Sequence, residues 1–386
     1  MTAIDSRTLP EPFSPEFVPD PYPTLAALRA TEPVTKVQAA FLMNPEAWLV
    51  TRYDLAKRVL SDPRIGRRHP DEEGPLNFDS DPPDHTRLRK LVQQAFTHHR
   101  VQGLRTAIQR MADETIDAFA GAGTADLMEQ FAFALPIAVI SELLGVPADE
   151  RADVRRRTAK FVDGEQIEPR IEAFKLTYPY IIELVARKRR NPGDDLTSAL
   201  VAARDGEDKL EETELVTLLM TVLVAGYITT TSLIGNGMYS LFTNPDQLAL
   251  LRSKPALLPT AVDEFLRYQT PFSAVATFPR EAMSIGDVQV QANDCVLVSL
   301  HAANRDPAVF ADPDRLDITR DPNPHLAFTA GIHRCLGAPL ARMEGEIAIG
   351  TLLRRFPDLR LSGPAQWRGL GMRGLDQLPV EFTPVA

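Results

Sequence analysis

From Asp84 to about Leu251, apolar residues recur every three or four positions, as in LRTAIQRMADETIDAFA and LMEQFAFALPIAVISELLGV. That spacing lays one apolar stripe along each segment and predicts a nearly unbroken run of amphipathic helices. Pro147 and Pro192-Gly193 punctuate it. One stretch, ELVTLLMTVLVAGYITTTSLIGNGMYSLF, is apolar on almost every side. Such a helix has no polar face to give to solvent and should pass through the centre of the protein. On either side the pattern changes. PYPTLAALRATEPV reads as a short helix, VTKVQA and AWLVTR alternate like paired strands about Asn44-Pro45, and MSIGDVQVQANDCVLVSL reads as a hairpin. AVDEFLRY and APLARMEGEIAIGTLLRRF predict two more helices. With no repeat and no clean linker, residues 1–386 read as a single, mainly α domain with small β pieces.

Composition narrows the functional classes. Net charge is −10, with no basic segment, which argues against a general nucleic-acid binder. No run of about 18 apolar residues is free of both charge and punctuation, so no membrane span is indicated, and the N-terminus lacks a basic-then-apolar leader. Two cysteines cannot build a disulfide framework, so a reducing cytoplasm is the expected home. Of these two, Cys295 sits inside an apolar strand, where a thiol behaves as a small hydrophobe. Cys335 is different. It lies in FTAGIHRCLG, just ahead of a predicted helix whose free N–H groups would favour an anionic sulfur. Gly331 and Gly337 would let the backbone approach a flat ligand closely.

That loop resembles the heme-binding loop of the cytochrome P-450 family, F-G-x-G-x-H-x-C-x-G. Phe328, Gly331, His333, Cys335 and Gly337 match, and Thr329 replaces the first glycine. Other landmarks follow in family order: the E-x-x-R pair Glu264 and Arg267, HAANRDPAVFADPDRLD with Arg315 completing a buried Glu–Arg–Arg cluster, DPPDHTRLRKLV, LPIAVISELLGVP and RGLDQLPVEF. Alone, Glu264 and Arg267 are spaced like an ordinary surface ion pair.

The resemblance implies a soluble heme-thiolate monooxygenase carrying heme b (iron protoporphyrin IX). Cys335 would be the proximal iron ligand, followed by Gly337, with Phe328 packed on the porphyrin. His85, Arg89, Arg280 and His333 would meet the heme propionates. Glu264, Arg267 and Arg315 would be structural. On the central helix the family's oxygen-activating signature maps onto Ala225, Gly226 and Thr229, with Gly226 and a threonine back-bond loosening the helix. Ile228 stands where the family has an acid, and it has no group that can relay a proton. Ordered water or a substrate hydroxyl could compensate, an acid from another element could take over, or the chemistry could be oxidative coupling or ring closure without oxygen insertion.

The expected product is a hydroxylated, epoxidised or cyclised small molecule of secondary metabolism. Candidate pocket residues are Leu76, Phe78, Val222, Ala225, Tyr227, Ala274, Val275 and Met372, each of which could equally be core packing. The short segment RRHPDEEGPLNFDSD suggests an open pocket suited to a large or carrier-protein-bound substrate. No flavin or iron–sulfur motif is present, so electrons would come from a ferredoxin and its reductase. Arg87, Lys90, Arg100, Arg334 and Arg342 are the candidate docking patch for that donor. Two alternatives of other classes are a catalytically silent helper protein, against which Cys335 argues, and a heme sensor, for which no signalling module is present.

Overall fold

A computed structural model describes residues 10–39, 46–71, 76–96, 98–161, 167–205, 210–369 and 371–385. Six helices position the site: α1 (Asp84–Ala95), α2 (Ala134–Leu143), α3 (Ile167–Arg190), α4 (Glu212–Phe242), α5 (Leu258–Tyr268) and α6 (Ala338–Arg355). Five strands form the main sheet: β1 (Val34–Gln38), β2 (Glu46–Val50), β3 (Ile65–Gly66), β4 (Ala274–Pro279) and β5 (Val296–Ser299), in the order β1-β2-β5-β4-β3. Only β2 and β5 run parallel, with Trp48 opposite Val296. The expected hairpin is present at Met283–Ile285 and Val288–Val290, and β1 and β2 pair as expected, their turn lying outside the described residues.

The all-round apolar segment is the 31-residue α4. It starts at a reciprocal capping box in which Glu211 accepts from the backbone at Glu214 and Glu214 from the backbone at Glu211. By length and composition alone it could cross a membrane. However, 67% of its most apolar window is buried inside the fold, which is what a central core helix requires. Helix α2 packs on it at Gly226, where a Cβ would run into Ile140 Cδ1 at 2.5 Å. Helix α6 packs on it further along: a Cβ on Gly345 would touch Leu233 at 3.1 Å, and one on Gly237 would touch Ile349 at 3.0 Å. Those two contacts are both four residues apart, so α4 and α6 run alongside each other in step.

Glu264 and Arg267 are not a surface pair. Both side chains are 0% exposed and meet through two bonds, Nε to Oε2 at 2.7 Å and Nη2 to Oε1 at 2.8 Å. Arg267 then donates to the carbonyls of Asn304, Pro313 and Arg315. Glu264 accepts from the Asp317 N–H, Arg320 Nε and Asn323 Nδ2. The second arginine of the cluster is therefore Arg320. Arg315 contributes its carbonyl while its side chain is exposed, which corrects the sequence assignment. The cluster ties residues 304–323 to α5, immediately before the cysteine loop.

Candidate active site

Between Phe328 and Ala338 the chain folds back on itself, with the Cys335 N–H donating to the Phe328 carbonyl at 3.0 Å. Gly331 has φ +71°, and a Cβ there would strike the Leu60 carbonyl, so glycine is required on both counts. Thr329 also lies in the left-handed region, at φ +59°, an uncommon place for a β-branched residue. Its hydroxyl donates to the His333 carbonyl at 3.1 Å, which helps hold the turn. Thr329→Val keeps the branch and removes that bond. It is expected to lower stability by about 0.5–1.5 kcal/mol in denaturant unfolding, and an unchanged midpoint would contradict this role.

Cys335 is solvent-open and yet crowded by protein on its other sides. Burial raises its pKa, while the backbone N–H groups of Gly337 and Ala338, at the start of α6, and the charges of Arg89 and Arg342 pull it down. Burial wins and the thiol's pKa is raised on balance, but the two N–H donors and two guanidinium groups are the partners that a metal-bound thiolate would use. Phe328 is buried, with the Arg342 guanidinium 4.6 Å over its ring. Arg342 is in turn held by Asp263 at 2.7 Å.

The open face of α4 carries Val222, Ala225 and Thr229. Ala225 is exposed and Val222 and Thr229 are half-buried in a helix that is otherwise mostly core. Thr229 Oγ1 donates back to the Ala225 carbonyl at 3.3 Å, as its position suggests. Gly226 plays a different part from the expected one. The helix is continuous through it, and its missing side chain makes room for Ile140 on the far side. Tyr227 is corrected too: it is 0% exposed, its hydroxyl donates to the Thr158 carbonyl at 2.7 Å, and its ring meets Phe133 edge-on, so it does not line the open face. Val275 is likewise closed off, 4% exposed, in the core beneath the sheet, and Ala274 packs on the cluster around Leu25 and Leu49. Leu76, Phe78, Val222 and Met372 remain partly exposed and border the helical core, with Met372 paired to Phe272. Residues 72–75 of the loop before them lie outside the described residues.

Ile228 is 5% exposed within the helical core, so an apolar side chain suits its surroundings. A buried acid does lie on another helix that packs against α4. Glu344 on α6, next to Gly345 where α6 meets α4, is 1% exposed, and its Oε2 has no partner among the described residues. Burial pushes its pKa well above the ordinary carboxylate range. A folded-state value above the unfolded one, about 4.3, means that its stability contribution is whole below that pH and is lost as pH rises. Glu344→Gln is therefore expected to raise the unfolding temperature more at pH 8 than at pH 4. An equal change at both pH values would contradict a buried, protonated acid.

His85 and His333 meet with ring centroids 4.1 Å apart and planes tilted by 45°. His333 Nδ1 is bonded to the Phe78 carbonyl at 3.1 Å, and burial, with His85 next, lowers its pKa to about 4. The Nε2 atoms of both imidazoles are buried without a partner among the described residues. Arg89 donates to the Arg334 carbonyl at 2.5 Å and interacts with Cys335. Arg280 is engaged by Asp81, which also bears electrostatically on His85, and by the Arg68 carbonyl. Arg67, which sequence reasoning missed, has a buried Nη1 without a partner among the described residues and bears electrostatically on both imidazoles. In the candidate docking patch, Arg87, Arg100 and Arg342 are paired with Glu214, Asp194 and Asp263, while Lys90 and Arg334 are exposed.

A family model described as Cytochrome P450 matches residues 165–360. Cytochrome P450 107B1 of Saccharopolyspora erythraea is 46% identical over 95% of this chain and 96% of its own length. The chain belongs to the cytochrome P450 family. It is a mainly α oxidoreductase of the monooxygenase type, and the family implies a heme cofactor. The 6-deoxyerythronolide B hydroxylase of the same organism is 43% identical, covering 97% of this chain and 99% of that one. Among solved structures, P450BioI in complex with a hexadec-9Z-enoic acid-ligated acyl carrier protein superposes with TM-score 0.88 at 35% identity, covering 95% of this chain and 100% of that one. The donor set of this chain fits a heme. A thiol that faces open space, and orphaned buried nitrogens at His85, His333 and Arg67 suited to carboxylates, are what that cofactor needs.

Proposed function

We propose that this P450 binds heme b through Cys335 and oxygenates an apolar, polyketide-derived lactone. The observation that carries the reading is Cys335 itself, crowded by protein, open on one side and faced by the N–H groups of Gly337 and Ala338. Those N–H groups would tune the thiolate as hydrogen-bond donors to a metal-bound sulfur do. Heme held by a cysteine thiolate supplies reductive activation of dioxygen, because the thiolate's electron push favours O–O cleavage. His85, His333 and Arg89 would hold the carboxylates, and Phe328 would pack below the ring. Thr229 would present a hydroxyl from the open face of α4, with Ala225 too small to block it.

Leu76, Phe78, Val222 and Met372 offer the substrate apolar contacts without a fixed charge, which favours a macrolactone or fatty chain over a polar metabolite. The similarity to 6-deoxyerythronolide B hydroxylase points the same way. Electrons would come from a cytoplasmic ferredoxin and its reductase, with Lys90 and Arg334 as exposed docking charges.

The test is an absorbance titration of the ferric holoenzyme with free macrolactones and, separately, with fatty acyl chains free and loaded on an acyl carrier protein. A shift from low to high spin with free macrolactones is expected. Response only to carrier-linked chains would replace the free-lactone reading with a tethered substrate. Product analysis under labelled dioxygen then decides what Ile228 means. Incorporation of the label is expected, and a coupled or cyclised product without label would overturn oxygen insertion.

A further inference from the structure

We propose that Arg373 is a positioning residue of the substrate pocket: it ties the N-terminal segment Pro12–Tyr22 to the two loops that carry Phe272 and Met372, and so fixes the pocket's rim. This rests on the heme and pocket readings above. On α4 the open face at Ala225 and Thr229 continues as a stripe, because Ser232 and Asn236 follow at three- and four-residue spacing. Ser232 and Asn236 are covered. A Cβ on Gly374 would lie 2.7 Å from Ser232 Oγ, and Asn236 Nδ2 donates to the carbonyls of Gln269 and Arg373, each at 3.2 Å. The loop before β4 and the turn into the strand Gly374–Gln377 therefore close the stripe where the open face ends.

Those two loops are joined backbone to backbone. The Arg373 N–H donates to the Pro271 carbonyl at 2.7 Å, and the Ser273 N–H to the Gly371 carbonyl at 3.0 Å. Phe272 and Met372 stand opposite each other between these bonds, with Phe272 40% exposed and Met372 half-buried. Two large apolar side chains left partly open beside the α4 stripe are where a bulky apolar ligand would meet the rim.

The Arg373 side chain reaches away from that contact. It is 3% exposed, and its guanidinium lies 3.8 Å over the Trp367 ring. It donates to the carbonyls of Val18 and Pro19 and to Gln269 Oε1. All three acceptors are neutral. A buried guanidinium so held stays satisfied only while every acceptor keeps its place, so the segments it joins move together. Tyr22 adds a second tie. Its hydroxyl is 3.0 Å from the Tyr268 carbonyl and 2.9 Å from Gln269 Oε1. Its ring lies 3.4 Å from the Arg305 guanidinium, which in turn sits 4.2 Å over Tyr268. The N-terminal segment thus holds, from outside the pocket, the loops that present Phe272 and Met372.

The test is an absorbance titration of the ferric holoenzyme with imidazole, which needs only the metal, and with clotrimazole, the same donor carrying three aryl rings. Wild type is compared with Arg373→Lys, Tyr22→Phe, Met372→Ala and the double variant Arg373→Lys with Met372→Ala. Arg110→Gln, an exposed residue paired with Glu114, serves as control. Arg373→Lys is expected to weaken clotrimazole about tenfold, equivalent to about 1.4 kcal/mol, and imidazole by less than about twofold. Tyr22→Phe should fall between Arg373→Lys and wild type, and Arg110→Gln should match wild type. In the Met372→Ala background Arg373→Lys should lose most of its effect, because a side chain that it positions is gone. Wild-type clotrimazole affinity in Arg373→Lys, equal weakening of both ligands, or an undiminished effect in the Met372→Ala background would overturn the proposal. If Arg373→Lys does not fold, Tyr22→Phe decides, and wild-type clotrimazole affinity there would overturn it as well. A wild-type protein that binds neither ligand would instead overturn the heme reading beneath it.

Discussion

Arg267→Ala is expected to destabilise the protein by about 3–5 kcal/mol, enough that little folded chain accumulates at 37 °C. The cost does not come from losing a surface ion pair. Removing the guanidinium leaves Glu264 charged at 0% exposure with only Arg320, Asn323 and the Asp317 N–H beside it, and it orphans the carbonyls of Asn304, Pro313 and Arg315. Arg267→Lys should recover only part of the loss, because an ammonium cannot reproduce the two-point contact. Arg315→Ala should stay within about 0.5 kcal/mol, since only its backbone takes part. Urea unfolding of the three variants checks the ranking. A destabilised Arg315→Ala beside a tolerant Arg267→Ala would reverse the assignment.

Cys335→Ala is expected to cut turnover by at least about 10³-fold, because no other side chain at that place can push electron density to a metal. Folding should survive. The residue is open on one side, its N–H to the Phe328 carbonyl is retained, and alanine adds no volume. Cys335→His separates ligation from chemistry: it should keep heme and lose oxygen activation. Assays with a surrogate ferredoxin pair, beside circular dichroism of each variant, distinguish a lost ligand from a lost fold. Retained turnover in Cys335→Ala would exclude the cysteine as the working ligand.

Much of this was legible in the sequence where chemistry is local. The cysteine loop and the paired strands are set by residues close in the chain, and so is the back-bond from Thr229 to Ala225. What escaped depended on contacts between distant segments. Arg315 and Arg320 both follow the same loop, and only the folded path shows that one turns inward while the other offers its carbonyl. Arg280 and Arg67 are equally basic, but Asp81 pairs with the guanidinium of the first and accepts only the backbone N–H of the second. Tyr227 sits in the oxygen-activating signature, yet helix rotation turns it toward Thr158 and away from Ala225. Gly226 looked like a weak point in a helix and is a contact point for Ile140. Glu344 was hidden for the opposite reason, since an acid in an amphipathic helix ordinarily marks the wet face.

The most direct measurement is the absorbance spectrum of the reduced, carbon monoxide-bound holoenzyme. The strongly red-shifted main band of a thiolate-ligated heme is predicted for the wild type and should vanish in Cys335→His. A wild-type spectrum of the histidine-ligated type in folded, fully loaded protein would contradict the assignment of Cys335.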